Sequence, residues 1–236
     1  MLLIAWIVPW LSLKPGTQGA DLFLIFYLFA MARLFTLLGA LDSGSAFGAF
    51  GASRDATLAL LVEPAALLGL VALGAVSGSS DLQTIFSFSN SHLRNCPGIW
   101  LLVGLAVLLA SLVELSRMPV DDPTTHLELT MVHEAMILEA SGRNLALIEF
   151  TQALRMTILF GLSAQCFIRA IPPLWSAGTT IQAISSFAGI FLIAFFVGVF
   201  ESLSVKLQWR KVPEFIAYSL TMSLIAALMA IGGGIK

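Results

Sequence analysis

Six ionisable side chains fall inside stretches otherwise apolar enough to lie in lipid: Arg33, Glu63, Glu114, Glu149, Arg155 and Glu201. A charge at mid-bilayer costs a few kcal/mol unless it faces a partner or a polar interior. Two arrangements offset that cost: buried pairs that pin helices together, or steps on a proton or ion path. For Glu63 and Glu201 the path is the favoured reading, because a carboxyl desolvated in a bundle is suited to proton exchange. Pro64 strengthens the case for Glu63, since a proline within a span leaves a carbonyl of the preceding turn free to hold water beside the carboxylate. For Glu114, Glu149 and Arg155, near span ends, pairing and path both stay open.

The densest set of such groups is the segment 116–144, with Arg117, Asp121, Asp122, Glu128, Glu134, Glu139, Arg143 and the histidines His126 and His133. Its middle reads as a helix. Pro123 suits a first helical position, Thr125 to Glu128 has capping-box spacing, and Gly142 is the expected stop. On that helix His126 and His133 share one face, Glu128 and Glu139 another, and Leu127, Met131 and Leu138 form an apolar stripe. His133-Glu134 begins like a zinc motif, but Ile137 stands where the second histidine belongs. A solvated loop helix would explain the charges. The reading preferred is a cytoplasmic face that binds another subunit and exchanges protons.

The elements that must carry these groups follow from composition. Of 236 residues, 58% are hydrophobic and 11% charged, against about 25% charged in soluble domains; the mean hydropathy is +0.94. Disordered chains, disulfide scaffolds and soluble enzymes are excluded, and an all-α polytopic membrane bundle, a single domain over 1–236, is expected. Spans of about 20 apolar residues are predicted at 1–13 (short), 21–41, 57–77, 98–115, 146–171, 183–205 and 214–235, about seven in all. Turn chemistry separates them at Lys14-Pro15-Gly16, Asp42-Ser43-Gly44, Ser77-Gly78-Ser79, Cys96-Pro97-Gly98 and Pro172-Pro173. The apolar start lacks the basic flank and cleavage site of a signal peptide, and reads as a short span.

Loops on the N-terminal side hold Arg54, Arg117, Arg143, Lys206, Arg210 and Lys211; the other side holds Lys14, Arg94, Lys236 and, at a span end, Arg169. That bias places the 116–144 loop in the cytoplasm. With a net charge of −2 and scattered basic residues, there is no footprint for nucleic acid. Cys96 and Cys166 are too few for an iron–sulfur cluster in this chain alone, and read as free thiols. The glycine-rich run Asp42 to Asp55 reads as a loop of small residues that permits close helix approach, with Arg54 and Asp55 a charge pair at the membrane boundary.

Two of these motifs resemble a known family. Glu114-Leu-Ser-Arg117-Met-Pro119-Val-Asp121, then Glu128-Leu129 and Glu139-Ala-Ser141-Gly142, is similar to the signature loop of the complex I subunit 1 family. Leu41-Asp42-Ser-Gly-Ser-Ala-Phe-Gly-Ala-Phe-Gly-Ala-Ser-Arg54-Asp55, with Val62-Glu63-Pro64, resembles its hydrogenase branch, the membrane anchors of formate hydrogenlyase and related energy-converting [NiFe] hydrogenases.

The resemblance implies a non-catalytic membrane subunit joining a cytoplasmic redox arm to antiporter-like membrane subunits in a prokaryotic cytoplasmic membrane. The arm would comprise hydrogenase-like large and small subunits and an iron–sulfur protein, with the [NiFe] and iron–sulfur centres in those partners. It carries over Asp42, Asp55, Glu63, Glu114, Asp121, Glu128 and Glu139 as proton-path or coupling residues, beside Glu201 from the span reading, with Arg54 and Arg117 as pairing charges. Where complex I members carry further loop glutamates, this chain has Thr124 and His126, and three additional residues follow Glu128. Both departures point away from a quinone site and toward the hydrogenase branch. The chain also starts at the family's second span. A quinone-site subunit of a complex I-type dehydrogenase is the alternative, and a stand-alone ion transporter a second one.

Overall fold

The structure is a computed structural model that describes residues 1–8, 21–87, 91–121, 132–205, 207 and 209–233. Its described elements are helical: α1 (Leu2–Ile7), α2 (Leu22–Asp42), α3 (Ala46–Ser77), α4 (Leu82–Ile85), α5 (Ser91–Arg94), α6 (Pro97–Glu114), α7 (His133–Ile137), α8 (Gly142–Arg169), α9 (Thr179–Leu203) and α10 (Val212–Gly233), with 3₁₀ turns at Pro172–Ser176 and Trp209–Lys211. Six of these, α2, α3, α6, α8, α9 and α10, are long and apolar enough to cross a membrane. Of the expected span at 1–13, the described part is α1, whose six residues rise only about 9 Å; residues 9–13 lie outside the described residues.

The punctuation follows local chemistry. Gly44 and Gly78 have φ of +64° and +70°, the left-handed region that a side chain would oppose, and they end α2 and α3. Ser45 caps α3 by accepting from Gly48 N at 3.4 Å. Pro97 opens α6, where its missing N–H costs no helical hydrogen bond.

α3 and α6 form the centre, with α10 packed on both, α2 against α3, and α8 between α6 and the peripheral α9. Since lipid tails are as apolar as leucine, close packing and hydroxyl bonds must join such helices. Three buried serines make those bonds: Ser163 Oγ donates to Gly104 O at 3.1 Å, Ser219 Oγ to Ala106 O at 2.8 Å, and Ser223 Oγ to Ala65 O at 2.6 Å. At one end, an isolated bridge between Asp21 and Asp81 ties the start of α2 to the turn after α3.

Three expectations are corrected. The glycine-rich run is helical from Ala46 onward, so α3 is 32 residues long and begins well before the expected 57. The small residues serve tertiary packing: a Cβ on Gly51 would meet Met136 Cγ and Val132 O, each at 2.9 Å, so glycine lets α7 rest on α3. Gly142, expected to stop the loop helix, is instead the first residue of α8, with φ of +57°, and α7 has already ended at Ile137. Arg169, counted as a span-end charge, is 2% exposed. Its Nε donates to Phe86 O at 2.6 Å, Nη1 reaches Gln165, and the guanidinium lies 5.0 Å from the Phe86 ring centre and 6.0 Å from that of Trp100.

Candidate functional site

A guanidinium inside an apolar helix must find acceptors on its neighbours, and Arg33 of α2 finds three. Its Nε lies 3.8 Å from Asp55 Oδ2 and its Nη1 3.3 Å from Glu63 Oε1, both on α3 two turns apart, while Nη2 engages Glu114 at the end of α6. Arg155 of α8 approaches Glu114 from the other side, Nη1 to Oε1 3.9 Å. Four helices thus deliver three carboxylates and two guanidinium groups to one place. Arg33 is 5% and Arg155 7% exposed, so water screens these charges little.

A cavity of about 250 Å³ opens on this cluster, lined by Asp55, Glu114, Arg155, Ser116, His133 and Gln152 among others. A second, of about 520 Å³, is lined by Asp42, Ser43, Glu139, Ser141 and Asn144. Phe35, Thr36, Met136, Leu147 and Ile148 border both, so the two meet along α2, α7 and α8. The outer one reaches Asp42 and Glu139, both exposed.

His133, at the start of α7 and outside the membrane-spanning helices, stands in the inner cavity with Nε2 buried and without a hydrogen-bond partner. Burial pushes its pKa below the ordinary 6.5; Glu134, Asp55 and Glu149 oppose that shift and Arg155 adds to it. The ring is therefore neutral at neutral pH.

The other expected residues are placed separately. Asp121 is buried, and its Oδ2 accepts from Val132 N at 2.8 Å, clasping the two described ends of the loop. Arg117 Nη1 lies 3.7 Å from Glu201 Oε1, joining the loop's start to the end of α9, and Leu207 N donates to Pro119 O at 2.8 Å beside it. The expected Arg54–Asp55 pair is corrected. Neighbouring residues on a helix point in different directions, so Asp55 turns inward to Arg33 while Arg54 lies over the Trp209 ring, 5.7 Å from its centre. Glu149 lies two turns into α8, near the end of that span as expected, and is exposed. Glu128, Asp122 and His126, and with them most of the expected loop helix, lie outside the described residues. Among the described residues no group of three His, Cys, Asp or Glu side chains could hold a metal.

Sequence reasoning left Arg33, the hub, among six in-span charges with no named partner, and gave His133 only a face shared with His126 in the proton-exchanging loop and the failed zinc motif. A signal for Arg33 was present: it is the one charged residue between Asp21 and Asp42 in the sequence, opposite spans that carry unpaired glutamates.

Residues 1–232 match the family model described as NADH dehydrogenase. The chain belongs to that family. This NADH dehydrogenase family member is 34% identical over 171 residues to hydrogenase-4 component C of Escherichia coli (strain K12), covering 71% of this chain and 52% of that protein. It is 29% identical over 237 aligned positions to formate hydrogenlyase subunit 4 of the same strain, covering 96% of this chain and 76% of the relative. The chain thus spans about half the length of the first relative and three quarters of the second. These matches bear out the likeness to complex I subunit 1 and to its hydrogenase branch.

Proposed function

We propose that this chain is the membrane-anchor and proton-coupling subunit of an ion-translocating [NiFe] hydrogenase complex. It would link a cytoplasmic redox arm of large, small and iron–sulfur subunits to antiporter-like membrane subunits in a prokaryotic cytoplasmic membrane. The metals of that reading belong to the arm; Cys96 and Cys166 are free thiols of this chain, the latter buried in the bundle.

The observation that carries the reading is the charge count at Arg33. Three carboxylates meet two guanidinium groups, so the buried cluster is neutral when it holds one proton. Neutrality is favoured where water is excluded. A proton arriving through the cavities protonates Asp55 or Glu114, which weakens that carboxyl's hold on Arg33. The guanidinium then leans on the remaining partners. As the proton moves to Glu63, Arg33 is released back to Asp55 and Glu114. One proton crosses from the inner cavity to the α3 face, with Arg33 exchanging ionic partners and no covalent bond but the carboxyl O–H changed.

Relatives named for hydrogenase-4 and formate hydrogenlyase support the hydrogenase assignment over a dehydrogenase. Purification of the native complex through a tag on this chain tests it. Nickel and iron in the preparation, with hydrogen turnover coupled to ion uptake into vesicles, are the expected results. Flavin and quinone reduction would replace the reading with the complex I-type alternative, and transport by the chain without partners with the transporter one.

A further inference from the structure

We infer that His133 is the proton-transfer residue between the outer cavity and the buried carboxylates. The inference rests on the proposed proton path and adds to it a residue that neither loop motif singles out.

The geometry is specific. His133 stands on the wall of the inner cavity, in the space that Asp55, Glu114 and Arg155 also line. Its Nε2 is shielded from bulk solvent and makes no hydrogen bond. A buried ring nitrogen without a partner ordinarily costs free energy, and such exceptions call for a reason. A ring that must gain and lose a proton is one. The charged groups facing the ring come from each packed element: Asp55 on α3, Arg155 and Glu149 on α8, and Glu134 on α7 itself, while α2 contributes Phe35 and Thr36 to the wall. Met136, one turn along α7, borders both cavities and so puts this helix at their junction.

The step balances with no co-reactant. A proton from the outer cavity, relayed through water that a partly polar space of this size accommodates, binds the unprotonated ring nitrogen of the partly exposed imidazole and gives an imidazolium. The imidazolium then yields one proton to the Asp55 carboxylate, leaving a neutral ring and a neutral carboxylic acid. Burial keeps the resting ring neutral, which is the state that can accept. Because α7 belongs to the loop that faces the cytoplasmic arm in the proposed complex, the same residue would place proton entry under the control of loop docking.

The test uses the native complex in liposomes, with proton uptake and redox turnover followed together from pH 5.5 to 8. His133→Gln keeps polarity without titrating. It should assemble, cut coupled proton uptake on the order of a hundredfold, and flatten the pH profile. His133→Ala should behave alike and recover uptake when free imidazole is added, which a packing role would not produce. Wild-type uptake with a wild-type pH profile in His133→Gln, in a preparation where Glu63→Gln stops uptake, overturns the role of His133 and leaves the path standing. Unchanged uptake in both variants overturns the path itself. Loss of assembly in both His133 variants assigns the ring to packing and also overturns the inference.

Discussion

Arg33 Nη1 stands 3.3 Å from Glu63 Oε1 while the same guanidinium holds Asp55 and Glu114. Glu63 is the outermost of the three partners, its side chain 35% exposed against 9% for Glu114. Replacing Glu63 by Gln keeps shape and hydrogen bonding, and another carboxylate remains on each side of Arg33. The complex should assemble normally and lose at least tenfold in ion translocation, with Glu63→Asp partly active. Translocation and assembly measured on one Gln preparation decide it; full pumping by a stable complex would remove Glu63 from the path.

Arg33 should matter more to the fold. Arg33→Met leaves three carboxylates with only Arg155 nearby, and loss of one member of a buried ionic set costs about 3–5 kcal/mol. The expected result is a lower thermal unfolding midpoint and reduced yield in detergent. Adding Glu114→Gln to Arg33→Met should restore part of that loss, since it removes one of the stranded charges. Simple additivity of the two changes would show that the residues do not interact.

The neutral, partly buried ring of His133 gives the fold a pH dependence of known sign. Its folded pKa lies below the ordinary 6.5, so the unfolded chain binds a proton first as pH falls. Its contribution is fully present above pH 6.5 and is lost as pH drops toward the folded value. The unfolding midpoint should therefore fall on acidification below 6.5, and His133→Gln should reduce that slope. An identical slope in the variant would show that other groups carry it.

Gly51 holds α7 close to α3. Gly51→Leu sets a side chain against Met136 Cγ and Val132 O, both 2.9 Å from a Cβ at that position. Overpacking of this kind costs about 1–3 kcal/mol, and the backbone carbonyl cannot yield as a flexible side chain could. Limited proteolysis should cut the variant faster within 132–140, and hydrogen exchange in α7 should rise. Unchanged protection there would mean that α7 is held elsewhere.

Much of the bundle was legible because runs of about 20 apolar residues leave few alternatives to a spanning helix, and Gly44, Gly78 and Pro97 mark ends that backbone sterics dictate. The start of α3 was not. Glycines at 48 and 51 lower helix propensity, and only contact with Ala40 and α7 turns them to advantage. Asp55, Glu63 and Glu114 were named from residue type and motif, yet their common partner is a residue on another helix, and pairing across helices leaves no mark in the spacing along one chain. Arg169 misled for a related reason: a basic residue at the end of an apolar run looks interfacial until Phe86 and Trp100 close over it.

The apolar centre has a consequence for traffic. From Ala65 to Val76 on α3 and from Ile99 to Ala110 on α6 no side chain can carry charge, and the serine hydroxyls that reach this zone are spent on Gly104, Ala106 and Ala65 carbonyls. From Glu114 to Ile99 that is about 22 Å of helix, closed at its far end by the fully buried Trp100. Such a barrel is a cul-de-sac. In the proposed path, a proton admitted at the polar end would leave sideways from Glu63, and a neighbour in the plane of the membrane would complete the vectorial current.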